Sequence, residues 1–280
     1  MPVVISVRET ITIPLEVDTV RLETLREQSP DDIRRTLVQQ GNRQVELGQY
    51  CDVSGSASDD NELIWQGDCS RIKLIGTHLA EGTIRVEGDA GMHLGAEMTG
   101  GEILVTGNTA DWTGAEMHGG RIRVLGNAGH LVGSVYRGGL KGMTGGEILI
   151  HGNAGNELGH SMRRGLIAVA GRSGDAPGVA MLAGTILLFG EAGIRPGPGM
   201  KRGTIVFFQP EHVPDMLPTF RRATIYQPVF LRICLKHLQQ QGFPVPEELF
   251  HADYLRYSGD LLESGKGEIL IRQVESPAAV

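Results

Sequence analysis

The stretch that decides the fold is a tandem repeat, GTIRVEGDAGMHLGAEMTG from Gly82 followed by GEILVTGNTADWTGAEMHG from Gly101. Further units of this pattern begin at Gly120, Gly146, Gly165 and Gly184, a half unit begins at Gly203, and a shorter, imperfect unit begins at Ser70. The unit from Gly120 has 26 residues where the others have 19, so it carries an insert of seven. A repeat of this length cannot bury its apolar face alone, and we therefore expect the units to stack on one another.

The register of the repeat is strict. The third position is isoleucine throughout, at Ile84, Ile103, Ile122, Ile148, Ile167, Ile186 and Ile205. The seventeenth position of each full unit is methionine, at Met98, Met117, Met143, Met162, Met181 and Met200, and the seventh and fourteenth positions are glycine. Each unit thus begins with a short strand whose alternate side chains face one side. Stacking makes interior columns of the isoleucines and methionines, and a turn ladder of Asn108, Asn127 and Asn153.

This pattern predicts an all-β chain whose middle is a right-handed parallel β-helix, a glycine-repeat solenoid with about 19 residues per coil. We expect the solenoid at residues 63–208, an N-terminal α+β cap at residues 1–62, and a C-terminal helix and strand pair at residues 209–280. Barrels and nucleotide-binding folds of alternating strands and helices would need helical stretches of about 10–15 residues, which the repeat lacks.

The two terminal segments carry their own signals. Ser29-Pro30-Asp31-Asp32, followed by IRRTLVQQ and Gly41, predicts a capped helix that stops at the glycine. In the C-terminal segment a second helix is predicted around Pro228–Gln241, and LLESGKGEILI is interpreted as a strand pair. A solenoid needs its ends covered, so both segments are expected to act as caps or as docking surfaces.

Composition and charge narrow the function. Glycine accounts for 40 of the 280 residues and aromatic residues for 5%, which indicates many tight turns around a narrow core. The net charge of −7 argues against a nucleic-acid-binding protein. No apolar run is long enough to span a membrane, and the N-terminus lacks the apolar core of a signal peptide. Together with the scattered Cys51, Cys69 and Cys234, these features predict a cytoplasmic protein with reduced thiols.

The residues that could carry chemistry do not form a recognisable site. His93, His118, His130, His151 and His160 fall at different repeat positions, without the partner spacing of a metal site. Three scattered cysteines cannot supply a four-thiolate cluster, and the glycines around residues 138–142 lack the spacing of a phosphate-binding loop. The sequence therefore predicts no catalytic residue, no metal and no cofactor on this chain.

One pattern of charge stands out on this acidic chain. Positions 18 and 19 of most units are small or neutral, but two units carry Arg163–Arg164 and Lys201–Arg202 there. Two coils apart on one edge, these pairs are expected to lie roughly 10 Å from each other. The insert one coil earlier adds Tyr136, Arg137 and Lys141. We interpret these seven residues as a candidate surface for an anionic carrier or a partner subunit; the simpler alternative is a solvated edge.

The repeat resembles the glycine-repeat domain of glutamate synthase large subunits, and more closely the C subunit of the formylmethanofuran dehydrogenase family. The stretches that carry the second resemblance are GNTADWTGAEM (107–117), SVYRGGLKGMTGG (134–146), MRRG (162–165), GMKRGTI (199–205) and GDLLESGKGEIL (259–270). The resemblance covers nearly the whole chain, and the insert and the tail are its discriminating parts. It implies a hetero-oligomeric complex with amidohydrolase-like and formyltransferase subunits, and a methanofuran-type carrier bound by the complex.

The resemblance leaves three functions open. The first is a non-catalytic structural or carrier-binding subunit of a bacterial formyltransferase/hydrolase complex, which moves a formyl group from tetrahydromethanopterin to a methanofuran-type carrier and hydrolyses it to formate in one-carbon metabolism. The second is the C subunit of a molybdenum or tungsten formylmethanofuran dehydrogenase in methanogenesis. The third is a glutamate synthase-like scaffold. We favour the first, in methylotrophic bacteria, because arginine outnumbers lysine about four to one, a bias common in GC-rich bacterial genomes.

Overall fold

The structure, a computed structural model, describes residues 2–8, 10–56 and 61–274. Strands dominate it: β1 (Val3–Val7), β2 (Leu15–Glu16), β3 (Leu37–Gln40), β4 (Arg43–Glu46), β5 (Cys51–Ser54), β6 (Glu62–Gln66), β7 (Ile72–Lys73), β8 (Thr83–Glu87), β9 (Glu102–Val105), β10 (Arg121–Val124), β11 (Glu147–Ile150), β12 (Leu166–Val169), β13 (Thr185–Leu188), β14 (Arg202–Phe207), β15 (Arg221–Tyr226), β16 (Tyr254–Gly259) and β17 (Lys266–Arg272). The α-helices are α1 (Leu22–Leu25), α2 (Pro30–Arg34) and α3 (Val229–Gln240). Within the described ranges, no helix has the length and apolar character needed to cross a bilayer.

One large, mostly parallel sheet organises the molecule. Thirteen strands follow the order β15-β16-β17-β14-β13-β12-β11-β10-β9-β8-β6-β1-β5, parallel from β17 to β1 and antiparallel at both ends. The repeat units pair position for position, since Ile103 lies opposite Ile84 on one side and Ile122 on the other. A separate sheet has the order β4-β3-β2-β7.

A second line of pairing runs along the repeat after each strand. The ninth position of successive units forms isolated parallel bridges: Cys69, Ala90, Thr109, Ala128, Ala154, Ser173 and Ala192. Each unit therefore contacts its neighbours at a strand and again at a bridge, so the stacking of whole units that the sequence predicted is observed.

The interior columns are confirmed. Every isoleucine of the third position and every methionine of the seventeenth is buried, with at most 1% of its surface exposed. Glycine at the fourteenth position is required for two reasons, as Gly114 illustrates. Its φ is +65°, and a Cβ there would lie 2.5 Å from Cδ1 of Ile148, so a side chain would be both strained and in collision with the column.

The predicted asparagine ladder is also confirmed. Asn127 N donates to Asn108 Oδ1 over 2.9 Å, and Asn153 N donates to Asn127 Oδ1 over 2.8 Å. The ladder begins at Asp89, whose Oδ1 accepts from Asn108 N at 2.7 Å, and ends at Arg172, whose N donates to Asn153 Oδ1 at 2.7 Å. Side chains of one coil thus satisfy the turn N–H groups of the next.

A second ladder, which the sequence analysis did not identify, follows the eleventh position. His130 N donates to Asp111 Oδ1 over 2.7 Å, and Asn156 N donates to the Nδ1 atom of His130 over 2.9 Å. Asp175 and Ile194 continue it with bonds of 2.9 and 3.0 Å. His130 therefore acts as a structural hydrogen-bond acceptor in place of an asparagine.

The predicted N-terminal helix is only partly correct. Ser29 and Asp32 form the expected capping box, but α2 ends at Arg34. The following TLVQQ does not continue the helix, because β3 pairs with both β2 and β4 and buries Val38. Gly41, with φ of +59°, forms the turn between β3 and β4 and not a helix stop. Tertiary pairing thus outweighs the local helix signal.

The C-terminal helix is confirmed as α3, and it covers one half of the sheet's outward face. Leu231, Leu235 and Leu238 are buried against the fourth-position side chains of the later coils, Leu149, Ala168, Leu187 and Val206. The earlier coils carry Arg85 and Arg123 at that position and lie outside this cluster. The LLESGKGEILI segment is not a strand pair: it supplies β17 alone, whose hairpin partner is β16.

Candidate functional site

The candidate site lies on the outward face that follows the bridges, where the backbone has an unusual conformation. The twelfth position is left-handed in six successive units, with φ between +54° and +64° at His93, Trp112, Leu131, Glu157, Ala176 and Arg195. Each of the first five donates its N–H to the eleventh-position carbonyl of the next coil, as Trp112 does to His130 O over 2.9 Å. Stacking thus maintains a strained conformation that would not persist alone.

The insert folds back over this face. Tyr136 N donates to Glu116 Oε1 over 2.9 Å, and the Tyr136 hydroxyl lies 3.0 Å from Nδ1 of His93. The His93 ring stacks on Trp112, with 5.3 Å between the ring centroids. Tyr136 therefore ties the insert to the two preceding coils. The loop turns outward only in its second half, where residues 137–141 are exposed.

Burial shifts the pKa values of Tyr136 and His93. It raises the pKa of Tyr136 to about 12, with the nearby carboxylates of Glu97 and Glu116 adding to the effect. Burial also lowers the pKa of His93, and the ammonium of Lys73 adds to that shift. Both rings are therefore neutral near pH 7, which suits a packing and hydrogen-bonding role rather than proton transfer.

Between the insert and the face lies a cavity of about 400 Å³. Its wall combines aromatic, apolar and charged groups from Trp112, Leu131, Tyr136, Arg137, Glu157 and His160. The Nδ1 atom of His160 lies 3.1 Å from a carboxylate oxygen of Glu157. An apolar wall beside a guanidinium suits a flat ring that carries an anionic group. Among the described residues, no group of three or more His, Cys, Asp or Glu side chains could hold a metal ion.

The structure separates the seven predicted site residues into two groups. Tyr136 and Arg137 line the cavity. Lys141 is exposed at the end of the insert, next to Gly142, whose N–H donates to Ser161 O over 2.9 Å.

Arg163–Arg164 and Lys201–Arg202 are exposed and stack at one corner, with the Leu182–Ala183 corner between them. Arg163 N bonds Met143 O, Leu182 N bonds Met162 O, and Lys201 N bonds Met181 O. Lys201 lies 3.7 Å from Glu263. Arg163 and Arg164 have no carboxylate partner in the part of the chain that the structure describes. The strip formed by these four residues therefore has a carboxylate beside Lys201 and none beside Arg163 or Arg164 among the described residues.

Two features of the site were not found in the sequence. His93 and Trp112 share the twelfth repeat position, so the register alone could have placed them side by side. Leu140, at the tip of the insert, is 85% exposed between two cations, Arg137 and Lys141. In the sequence it was visible only as an apolar residue inside a glycine-rich loop.

Comparison with known proteins places this geometry in a family. The model of the GXGXG motif matches residues 71–217. The chain is 40% identical over 83 residues to the C subunit of the molybdenum-containing formylmethanofuran dehydrogenase 1 of Methanothermobacter marburgensis, covering 30% of this chain and 21% of that protein. It is 35% identical over 97 residues to the C subunit of the tungsten-containing formylmethanofuran dehydrogenase 2 of Methanothermobacter thermautotrophicus, covering 34% and 36%. The matched segments span only about a fifth to a third of these relatives.

A solved structure matches over the whole length. A chain of the formyltransferase/hydrolase complex (FhcABCD) from Methylorubrum extorquens, crystallised with methylofuran, superposes with a TM-score of 0.89 and 32% sequence identity. The match covers 97% of this chain and 100% of that one. The family model likewise spans just over half of the 280 residues. This chain therefore belongs to the GXGXG-motif family, and within it to the group formed by the C subunit of formylmethanofuran dehydrogenases and its counterpart in the formyltransferase/hydrolase complex.

Proposed function

We propose that this chain is a non-catalytic structural and carrier-binding subunit of a formyltransferase/hydrolase complex. The complex would transfer a formyl group from tetrahydromethanopterin to a methanofuran-type carrier and hydrolyse it to formate. The observation that carries this proposal is the whole-length match, 97% of one chain and 100% of the other, to a subunit of such a complex bound to methylofuran.

The architecture that goes with this function is a right-handed parallel β-helix at residues 63–208, flanked by the terminal segments 1–62 and 209–280. Position-for-position strand pairing, the line of bridges and the two ladders support it. The hand follows from the strong preference of parallel crossovers for right-handed connections. Such a rigid rod suits a subunit that fixes the distance between active sites on other chains.

In this proposal the carrier runs past the insert. The cavity beside Trp112, Tyr136 and Arg137 receives a ring or a polar group of the carrier, and Lys141 lies next to it. The strip formed by Arg163, Arg164, Lys201 and Arg202 offers guanidinium and ammonium groups to an anionic tail. The unpaired state of Arg163 and Arg164 within the described residues supports this use.

The chemistry itself is assigned to partner subunits, of the amidohydrolase-like and formyltransferase types, in a cytoplasmic complex. Cys51, Cys69 and Cys234 are free thiols, which fits a reducing compartment. Burial raises the pKa of both Cys51 and Cys69 to about 12, so neither is a ready nucleophile.

A second function has its own support. The curated relatives with matching segments are the C subunits of molybdenum- or tungsten-containing formylmethanofuran dehydrogenases. In that setting the same rod would serve a complex that contains a redox subunit. Metal analysis of the purified complex separates the two, because stoichiometric molybdenum or tungsten would favour the dehydrogenase.

The test uses the complex isolated through a tag on this chain. Deleting Tyr136–Gly142 returns the unit to 19 residues, and we expect the rod to fold while formyl turnover to formate falls. The matched control keeps the loop length and changes only charge, with Arg137→Gln and Lys141→Gln. Normal assembly and normal turnover of the deletion variant would refute a role for the insert.

The strip is tested separately. Replacing Arg163, Arg164, Lys201 and Arg202 with glutamine should weaken carrier binding by the intact complex, and the loss should be larger at low salt, where charges are screened less. Equal carrier affinity of variant and wild type at low ionic strength would leave the strip as a solvated edge or a docking surface.

A further inference from the structure

A long segment near the C-terminus is free of acidic residues. From Met216 to Pro246 the chain contains Arg221, Arg222, Arg232 and Lys236 but no Asp or Glu, although the net charge of the whole chain is −7. All four cations are exposed. Within the described ranges, none of them has a carboxylate within ion-pair distance; Arg232 donates instead to the side-chain oxygen of Gln227. Arg221 and Arg222 stand side by side at the start of β15, whereas Arg232 and Lys236 lie on α3, whose neighbouring His237 reaches Glu147 of β11.

The same segment contains an open sheet edge. β15 is the terminal strand of the thirteen-stranded sheet, and it pairs with β16 on one side only. Five of its six residues are exposed. A strand edge of this length leaves backbone N–H and C=O groups that another strand can pair with. Arg221 and Arg222 therefore lie along a backbone edge that is able to bind an extended segment.

Apolar side chains accompany the cations. Ile225 on β15 is 49% exposed, and Val229 and Ile233 on α3 are 69% and 67% exposed. Val229 and Ile233 are four residues apart and therefore lie on the same helix face, close in sequence to Arg232 and Lys236. Single exposed apolar residues are ordinary, but Ile225 lies on an open strand edge, on the same strand as two arginines that have no carboxylate partner among the described residues, and that combination is typical of an interface.

We propose that the β15 edge binds an acidic, extended segment of another subunit, which adds to the sheet as a further strand next to β15. Backbone hydrogen bonds provide the register, the carboxylates of the segment pair with Arg221 and Arg222, and an apolar side chain of the segment covers Ile225. The proposal rests on the proposed function in one respect, that the chain is a subunit of a hetero-oligomeric complex.

A second copy of this chain does not fit the same edge. β15 contains no Asp or Glu, so two β15 strands brought together would leave Arg221 and Arg222 of both copies without a counter-charge from the partner strand. An acidic segment supplies the missing counter-charges. The chemistry of the surface thus selects a partner of opposite charge.

The experiment compares the full chain alone with the complex purified through it. Amide hydrogen exchange of residues 221–226 should be fast in the free chain and slow by at least about tenfold in the complex. With Arg221→Lys, a zero-length carbodiimide crosslinker should join position 221 to an Asp or Glu of a partner subunit, and the crosslinked peptide identifies the segment.

Charge reversal provides the matched test. Arg221→Glu with Arg222→Glu should reduce recovery of the partner by tenfold or more, while Arg43→Glu with Arg195→Glu, the same charge change at exposed sites elsewhere, should not. The unfolding midpoint of each free variant verifies that the rod is intact. Ile225→Glu tests the apolar part in the same way.

The outcomes separate the two proposals. If the wild-type chain recovers no partner subunits, the proposed function fails. If the wild-type complex forms but exchange at residues 221–226 is unchanged and both charge variants recover partners equally, the docking surface is refuted while the function stands. Protection that appears in the chain alone as its concentration rises, or that nuclease treatment removes, would likewise overturn an acidic protein segment as the occupant.

Discussion

At one end of the large sheet, α2 packs along β5, and at the other end β15 has no covering element within residues 2–8, 10–56 and 61–274. The first edge is closed by the chain itself: Ile33 of α2 is fully buried, and the Arg34 guanidinium donates to Val53 O over 2.9 Å. The second edge exposes five of its six residues and carries unpaired arginines. Both are antiparallel additions to a parallel stack, so the difference lies in what covers them.

The difference indicates which end is used for binding. An open edge risks pairing with the wrong chain, and a protein that closes one edge with a capped helix has the means to close the other. Because β15 has no such cover within the described residues, we expect a partner subunit to cover it. The following predictions test this contrast, beginning with the coils that belong to neither end.

The largest effect is expected in the middle of the stack. Ile148 is fully buried, and its Cδ1 lies against the glycines of two earlier coils, Gly114 and Gly133. Ile148→Ala should lower the free energy of unfolding by about 4 kcal/mol, because the interior column cannot collapse around the cavity. Ile148→Val is the control and should cost about 1 kcal/mol in the same urea titration. A loss below about 0.5 kcal/mol for alanine would mean that the column is not the core.

A matched pair of isoleucines probes the two ends directly. Ile33→Ala, beneath the covered edge, should cost roughly 2–3 kcal/mol in the free chain. Ile225→Ala, with 49% of its surface exposed on the open edge, should cost at most about 0.5 kcal/mol. In the complex the order should reverse for partner recovery, with Ile225→Ala the more damaging. Equal stability losses in the free chain would contradict the contrast between the ends.

The hairpin at the open end depends on a buried carboxylate. Burial raises the pKa of Asp260, but the N–H groups of Leu262 and Gly199, at 2.9 and 3.0 Å, outweigh it and hold that pKa below its ordinary value. A depressed folded-state pKa stabilises above the unfolded value of about 3.9, and the contribution is lost as pH falls through the folded pKa.

We therefore expect Asp260→Asn to cost about 1–3 kcal/mol at pH 7, because an amide cannot accept from both donors. In urea titrations from pH 7 to pH 3, the difference in unfolding free energy between the wild type and Asp260→Asn should become smaller, because the wild type itself loses stability. The exposed Asp253→Asn is the control and should show little effect at any pH. A gap that stays constant with pH would exclude the charge of Asp260 as its cause.

The smallest effect concerns the second ladder, which runs along the middle of the stack. His130→Asn keeps an acceptor for Asn156 N and should change the free energy of unfolding by less than about 0.5 kcal/mol. His130→Ala removes the acceptor and should cost about 1 kcal/mol. Thermal unfolding of both variants at one pH decides between them, and identical midpoints would indicate that solvent replaces the ladder bond.

The sequence predicts those features in which the same residue recurs at the same position of each repeat unit. The isoleucine and methionine columns and the asparagine ladder follow from equal spacing, because stacked units bring equivalent positions together. The second ladder was missed because Asp111, His130, Asn156 and Asp175 are chemically different residues that share one property, an acceptor at the right distance from the backbone. A residue type that recurs is visible in the sequence, whereas a hydrogen-bonding role shared by different residue types becomes visible only in the structure.

The site was harder to predict for a related reason. The sequence singled out Tyr136 and Arg137, but the fold-back of the insert depends on Tyr136 reaching His93, 43 residues earlier, which spacing does not indicate. The helix predicted beyond Arg34 failed in the same way, since strand pairing of TLVQQ with β2 and β4 is a non-local effect. The seven site residues remain a proposal for the carrier, and the structure contributes the cavity in which two of them meet.

Both ladders have a direction: the acceptor belongs to the earlier coil and the N–H to the later one. The ribosome synthesises the coils in this same order, so each new coil can form its ladder bonds with a coil that has already been made. The two ends of the large sheet wait for distant chain, β1 for β6, whose Ser6 and Gln66 bond across 60 residues, and β14 for β17, whose Thr204 and Glu268 bond across 64. The β15 edge is anchored through β16 and β17 and is therefore completed after the coils. A partner that binds there would join only chains whose translation has passed β17, so the open edge would report that β17 has been made.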